Sequence, residues 1–305
     1  MGEKTMDLAA DADVEAILRG GLAREGRALS AVVPVLRHLL GSEAQGLVSE
    51  AVLARVRGMI LDLAAQLLAV QAGRASVARA GDCAALDTLS ESLLGEEALL
   101  AHCHALACES LAAARLQQRH ALDPVLSPLM QELIASEDPT VASLAMATLA
   151  AQSRFVESQR RMELPLGELP AELFHALIAR VHGGEGIARA QMNYDEATSR
   201  LGLLARLVAA MRRGAVAALA LDHAGLALFA SALASETRVP RVAAALACQE
   251  GQSLRLALLL RAGGLSAPAI ERQMMLAEPA ALLAPAIAAL SPARAAALVA
   301  ADSPA

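Results

Sequence analysis

Aromatic side chains are nearly missing from this 305-residue chain, which has no Trp, one Tyr (Tyr194) and three Phe (Phe155, Phe174 and Phe229). That removes the platforms on which single-stranded nucleic acid stacks. Lysine is almost as scarce: Lys4 stands alone, so the 26 basic residues are in effect all arginine. Against 32 acidic residues they leave a formal charge of −6, and the basic clusters are mere doublets, Arg160-Arg161 and Arg212-Arg213. Both features count against nucleic acid as a partner. Runs of β-branched and aromatic residues are missing too, which counts against a large β fold.

Cysteine is sparse and unpatterned. Cys83, Cys103, Cys108 and Cys248 form no CxxC and resemble no secreted disulfide framework. The first ten residues carry Glu3, Lys4 and Asp7 around no apolar stretch, unlike a signal peptide. Two segments look superficially membrane-like, 215–234 and 280–300. The first holds Asp222 and His223, the second Pro285, Pro292 and Arg294. Both read better as buried helices, because Ala contributes little to insertion. The expected address is a bacterial cytosol, with reduced cysteines, no membrane and no cofactor.

What the chain does have is apolar, helix-forming residues: 56% are hydrophobic, and roughly a quarter are Ala, the strongest helix former. Val52, Val56, Met59, Ile60, Leu63 and Leu67 follow helical spacing, with Arg55, Asp62 and Gln66 on the other side. Leu173, Phe174, Leu177, Ile178 and Val181 form a second stripe. Asp123-Pro124 and Asp138-Pro139 each put an N-cap acceptor before a Pro suited to the first helical position. Glu278-Pro279 and Ser291-Pro292 repeat the arrangement. Arg212-Arg213-Gly214 and Arg261-Ala262-Gly263 place a cation in a last turn with Gly beyond it, as helix stops do.

The spacing therefore predicts an all-α protein. Longer helices over 44–71 and 96–119, separated by a break at 73–81, form an N-terminal helical bundle in residues 1–119. Shorter punctuated helices in residues 120–305 form a HEAT-like antiparallel array, since helices this short need stacked neighbours. The segment from Asp138-Pro139-Thr140-Val141 to Ala145 resembles the second helix of a HEAT repeat, with Ala142 where an Arg is often found.

Two longer stretches carry a broader resemblance. They are Gln159-Arg160-Arg161-Met162-Glu163-Leu164-Pro165-Leu166 with Leu169-Pro170-Ala171-Glu172-Leu173-Phe174, and Ala224 to Leu265, including Pro240-Arg241-Val242 and Arg261-Ala262-Gly263-Gly264-Leu265. Together they resemble an alphaproteobacterial all-helical family of unknown function with HEAT-like packing. The resemblance implies a fold and no reaction.

Candidate sites are few. His102, Cys103, His104, Cys108, Glu109 and His120 form the densest polar group. His104 and Cys108 share a helix face as metal ligands could, but one helix supplies only that pair, and the plainer expectation is a buried Cys among solvent-tipped histidines with no metal bound. His38, in Arg37-His38-Leu39-Leu40-Gly41-Ser42, faintly resembles the phosphoacceptor of a histidine phosphotransfer helix, without its usual Lys and with no acidic neighbour following. No Gly-x-Ser-x-Gly elbow or catalytic triad motif is present, and Gly183-Gly184-Glu185-Gly186 lacks the Lys and Ser/Thr of a phosphate loop. Glu96-Glu97 are sequence neighbours that diverge on a helix. That leaves Gln159, Arg160, Arg161, Met162 and Glu163, where adjacent Arg could grip carboxylates and Met162 adds an adaptable apolar contact; the competing reading is a solvated helix end.

The expected function is a non-enzymatic protein-binding adaptor or regulator attached to bacterial signalling, with the 159–163 stretch as partner surface. The alternative is phosphotransfer in two-component signalling through His38. A homodimer through the long N-terminal helices is also expected, in competition with coverage of the same faces inside one chain.

Overall fold

The computed structural model describes residues 3–41, 49–73, 83–182, 184–278 and 285–301. Among the described residues all regular structure is helical, as sixteen α-helices and three 3-10 segments. The first five helices are α1 (Glu3–Ser30), α2 (Val32–Gly41), α3 (Glu50–Gln71), α4 (Cys83–Leu94) and α5 (Glu97–His120). Then come α6 (Pro128–Ile134), α7 (Pro139–Arg160), α8 (Ala171–Ile178), α9 (Glu185–Asn193), α10 (Arg200–Met211) and α11 (Leu221–Thr237). The chain continues through α12 (Arg241–Ala247), α13 (Ser253–Ala262), α14 (Ala267–Ala277), α15 (Pro285–Ala289) and α16 (Pro292–Ala301).

Helix starts follow the capping chemistry, with one instructive exception. Asp138 Oδ1 accepts from Thr140 N at 2.8 Å and Val141 N at 3.4 Å, so α7 opens where Asp-Pro marks it. Asp123-Pro124 does not open a helix. Asp123 Oδ1 caps a turn, accepting from Val125 N at 2.7 Å and Leu126 N at 2.8 Å. A helix from Pro124 would need an N–H at position 128 to meet the Pro124 carbonyl, and residue 128 is itself proline. The Pro124 carbonyl instead accepts from Gln152 Nε2 at 2.9 Å, and α6 starts four residues later under the Ser127 hydroxyl.

Helix ends agree with the sequence more loosely. After α13, Gly264 takes φ +87° and Leu265 N donates to Leu260 O at 3.1 Å, the paired closure of a Schellman turn. After α10, Arg212 takes φ +52° and the chain runs on through a 3-10 segment at Arg212–Leu219, with Gly214 inside it rather than ending it. The Glu278-Pro279 start falls partly outside the described residues. Ser291 Oγ accepts from Arg294 N at 3.3 Å, and α16 begins at Pro292.

Two hydrophobic cores result. The six-residue stripe of α3 is buried among Leu99, Leu100, Cys103 and Leu106 of α5, together with Phe155, Leu164, Phe174 and Leu177. The second core gathers α10, α11, α13, α14 and α16, with Leu18 and Leu22 of α1 and Ala112 and Leu116 of α5. Each core thus draws residues from both sides of position 120, and α5 serves the first with its N-terminal half and the second with its C-terminal half. The α3 stripe is covered within the chain; on its adjoining faces Leu53 and Leu68 are half-buried and Leu61 is exposed. No helix among the described residues is long and apolar enough to cross a membrane.

The turn after α7 is held by an unusual seat. Met162 adopts φ +59°, while Glu163 N donates to Ser158 O at 2.8 Å and Met162 N to Gln159 O at 3.2 Å. This is a Schellman closure with Met where Gly is usual, a conformation that disfavours a side chain by about 1–2 kcal/mol. Gly58 of α3 makes room for it: a Cβ there would lie 2.4 Å from Met162 Cβ and 2.8 Å from the Met162 carbonyl oxygen. Gly58→Ala should therefore lower stability by roughly 1–3 kcal/mol, although Ala favours helix by about 1 kcal/mol. A urea midpoint equal to or above wild type would show that the turn moves aside freely.

Candidate functional site

Polar groups of the middle of α5 lie inside the protein. His102, His104 and Glu109 are buried, as are Cys103 and Cys108. His104 Nε2 and Cys108 Sγ, one helical turn apart, do meet at 3.3 Å, as their spacing predicts. Burial drives the His104 imidazole down to about 4 and the Cys108 thiol up to about 11, so the pair is neutral rather than a thiolate–imidazolium couple. Burial likewise lifts Cys103 and Cys248 to about 12. The histidines are thus not solvent-tipped, because the middle turns of α5 are packed from both sides, while Glu97 and Ala98 at its start and Gln117, Gln118 and Arg119 at its end are exposed. His120, near that end, contacts Leu276 O through Nε2 at 3.2 Å. Among the described residues no three metal-ligating side chains converge.

The centre of this region is Glu109, which sequence reading left as one member of a ligand set. Its carboxylate accepts four hydrogen bonds from two arginines. Arg200 donates to Oε1 at 2.8 Å and to Oε2 at 3.1 Å. Arg241 donates to the same atoms at 2.7 and 2.8 Å. Burial alone would push the Glu109 carboxyl up, but the two guanidinium charges outweigh it and hold it far below the carboxylate range. Burial pulls Arg200 down while Glu109 opposes it; a guanidinium remains charged throughout.

Further contacts fix both cations. Arg200 donates to Gln152 Oε1 at 3.1 Å, and its guanidinium carbon sits 3.7 Å from the centre of the Phe155 ring. Its backbone N–H meets Glu168 Oε2 at 2.7 Å. Arg241 Nε donates to Ser231 Oγ at 2.9 Å. One carboxylate so ties α5 to the first residues of α10 and α12, partners 91 and 132 positions away. Such separations leave no local motif. One clue existed: both arginines open helices, where a cation opposes the helix dipole, so something else must hold them there.

His102 lies near this cluster, with no hydrogen-bond partner for Nε2 among the described residues. Burial, then the charges of Arg200 and Arg241, drive it down to about 4, with Glu109 opposing.

The 159–163 stretch is divided by the end of α7. Gln159 is buried, donating to Met59 Sδ at 3.2 Å and Glu163 O at 3.3 Å. Arg160 and Arg161 are exposed and share Glu157 at 3.7 and 3.0 Å, and Arg161 also meets Glu163 at 2.8 Å. Met162 is partly exposed. Arg160 borders a cleft of about 90 Å³ between α3, α5, α7 and α11, whose walls include Arg55, Glu109, Gln117, Phe155 and Val156.

The remaining candidates are quickly placed. His38 belongs to α2, and its side chain lies outside the described residues. Glu96 and Glu97 diverge as expected, Glu96 pairing with Arg180 and Glu97 with Arg37. Of the glycine-rich stretch, Gly183 lies outside the described residues, while Gly186 lets α9 approach the Val70 carbonyl of α3, from which a Cβ would be 2.0 Å away. The chain matches no family model, no curated protein and no solved structure.

Two predictions follow from this buried chemistry. Glu109→Ala should cost about 3–5 kcal/mol, since it strands Arg200 and Arg241 without their counter-charge. The triple change Glu109→Leu, Arg200→Met and Arg241→Leu should lose much less. Chemical denaturation separates the two, and equal losses would mean that shape rather than charge holds the three helices.

The second prediction concerns acid. His102 and His104 titrate near 6.5 when unfolded and near 4 when folded. Between those values the unfolded chain binds more protons, so stability falls as pH drops from 6.5 to 4, by on the order of 3 kcal/mol per histidine. The Glu109 contribution is lost only below its ordinary range, further down. His102→Gln with His104→Leu should flatten the urea midpoint between pH 6.5 and 4; a slope as steep as wild type would assign the loss to other groups.

Proposed function

We propose that the chain is a non-enzymatic, protein-binding adaptor or regulator of the bacterial cytosol. The observation that carries this reading is the end of α7. There Arg160 and Arg161 stand exposed beside Met162, on a turn seated against Gly58. Adjacent guanidiniums grip carboxylates, and Met offers apolar contact that adapts to a partner. The groups best suited to catalysis, His102, His104, Cys103 and Cys108, are buried, and burial keeps them neutral.

The neighbour order of the later helices supports a HEAT-like stack. Helix α6 packs on α7, α7 on α10, and α10 on α11, after which α11 to α14 pack in succession. Stacks of that kind leave extended faces on which peptides and domains are held.

The experiment is a pull-down from bacterial cytosol with wild type and with the double change Arg160→Glu and Arg161→Glu. Wild type should retain a protein that the charge-reversed form, folded by circular dichroism, releases. The same set of captured proteins on both would overturn the assignment of this surface.

A further inference from the structure

The cations and carboxylates that line the cleft are unequal in number. Its wall takes Arg55 and Arg160 against Glu109, while Arg200 and Arg241 do not line it. The Glu109 carboxylate already accepts four hydrogen bonds from Arg200 and Arg241, and Glu168 accepts from the Arg200 backbone, so the buried cluster is compensated within itself. Arg55 is half-buried and gives Nη1 to Ala51 O at 3.3 Å. Arg160 is exposed and pairs with Glu157 at 3.7 Å. The rest of the wall is apolar or neutral and includes Phe155, Val156, Leu226 and Gln117.

The geometry points to a carboxylate-binding pocket here, which takes one acidic side chain of a partner peptide between Arg55 and Arg160. The occupant follows from size and sign. A space of about 90 Å³ accommodates a single short side chain rather than a cofactor or metabolite. The cations select an anion, and the apolar walls suit the methylene stem that joins a carboxylate to its backbone. Met162 follows Arg160 on the same turn and packs on Gly58, one helical turn beyond Arg55 on α3. An apolar residue next to the acidic one therefore finds a contact. The inference rests on the adaptor reading and deepens it, naming an acidic residue flanked by apolar ones as what the partner presents.

The test is fluorescence anisotropy with three labelled decapeptides that alternate Leu with Glu, Gln or Lys. The Glu peptide should bind, with an affinity that falls as salt is raised. The Gln and Lys peptides should bind at least about tenfold more weakly, and Arg55→Gln and Arg160→Gln should each cost the Glu peptide about tenfold, the scale of one charge-assisted hydrogen bond. Thermal melts check that both variants fold, and the comparison of three peptides on wild type needs no variant at all. Equal binding of the Glu and Gln peptides overturns the inference, as does a Glu peptide unaffected by either substitution. Displacement by inorganic phosphate as readily as by unlabelled peptide would also overturn it, in favour of a free-anion site. If no peptide binds while the pull-down partner still depends on Arg160 and Arg161, the pocket is overturned and the adaptor reading stands.

Discussion

The rest of the molecule is arranged around one buried carboxylate. Glu109 sits on α5 between Cys108, the last of its buried residues in the first core, and Ala112, the first in the second. At that junction it binds the opening residues of α10 and α12. Removing three charges from water is costly, and the attraction between them repays that cost only when geometry and hydrogen bonding are nearly complete. Four donor contacts on two oxygens come close to completion. The cluster therefore constrains more than it stabilises. A helix that shifts by one residue along its axis withdraws its guanidinium and leaves a buried charge exposed to nothing, whereas a slipped Leu merely meets another Leu. In cores built from Leu and Ala, where many alternative registers bury similar area, such a constraint on register is what distinguishes one packing from its neighbours.

Scarcity of aromatic residues makes that constraint more necessary. Three of the four aromatic side chains lie in or against the first core. Phe174 stacks on Tyr194 with ring centres 3.9 Å apart, and the Tyr194 hydroxyl donates to Leu169 O at 2.8 Å. Phe155 covers the Arg200 guanidinium. Phe229 alone serves the second core. Elsewhere space is filled by small side chains and by close backbone approach, as where Gly202 meets the Glu196 carbonyl, from which a Cβ would be 2.2 Å away. Cores of this kind hold their shape through many short contacts, each weak, so polar anchors at the helix junctions carry the specificity.

Local features of the sequence proved readable and distant ones did not. The α3 stripe, the α7 start at Asp138-Pro139 and the Gly263-Gly264 stop each depend on residues within one or two helical turns, and each is where its spacing puts it. Asp123-Pro124 was misread because the deciding residue, Pro128, lies one turn further on and vetoes the hydrogen bond that a helix would need. The α5 histidines were misread for a different reason: exposure depends on what packs against a face, and the residues facing His102 and His104 come from elsewhere in the chain. The Glu109 cluster was invisible in the same way, except for the two arginines placed against the helix dipole at the start of α10 and α12. Cations in that position are a usable signal, since each needs a counter-charge from outside its own helix.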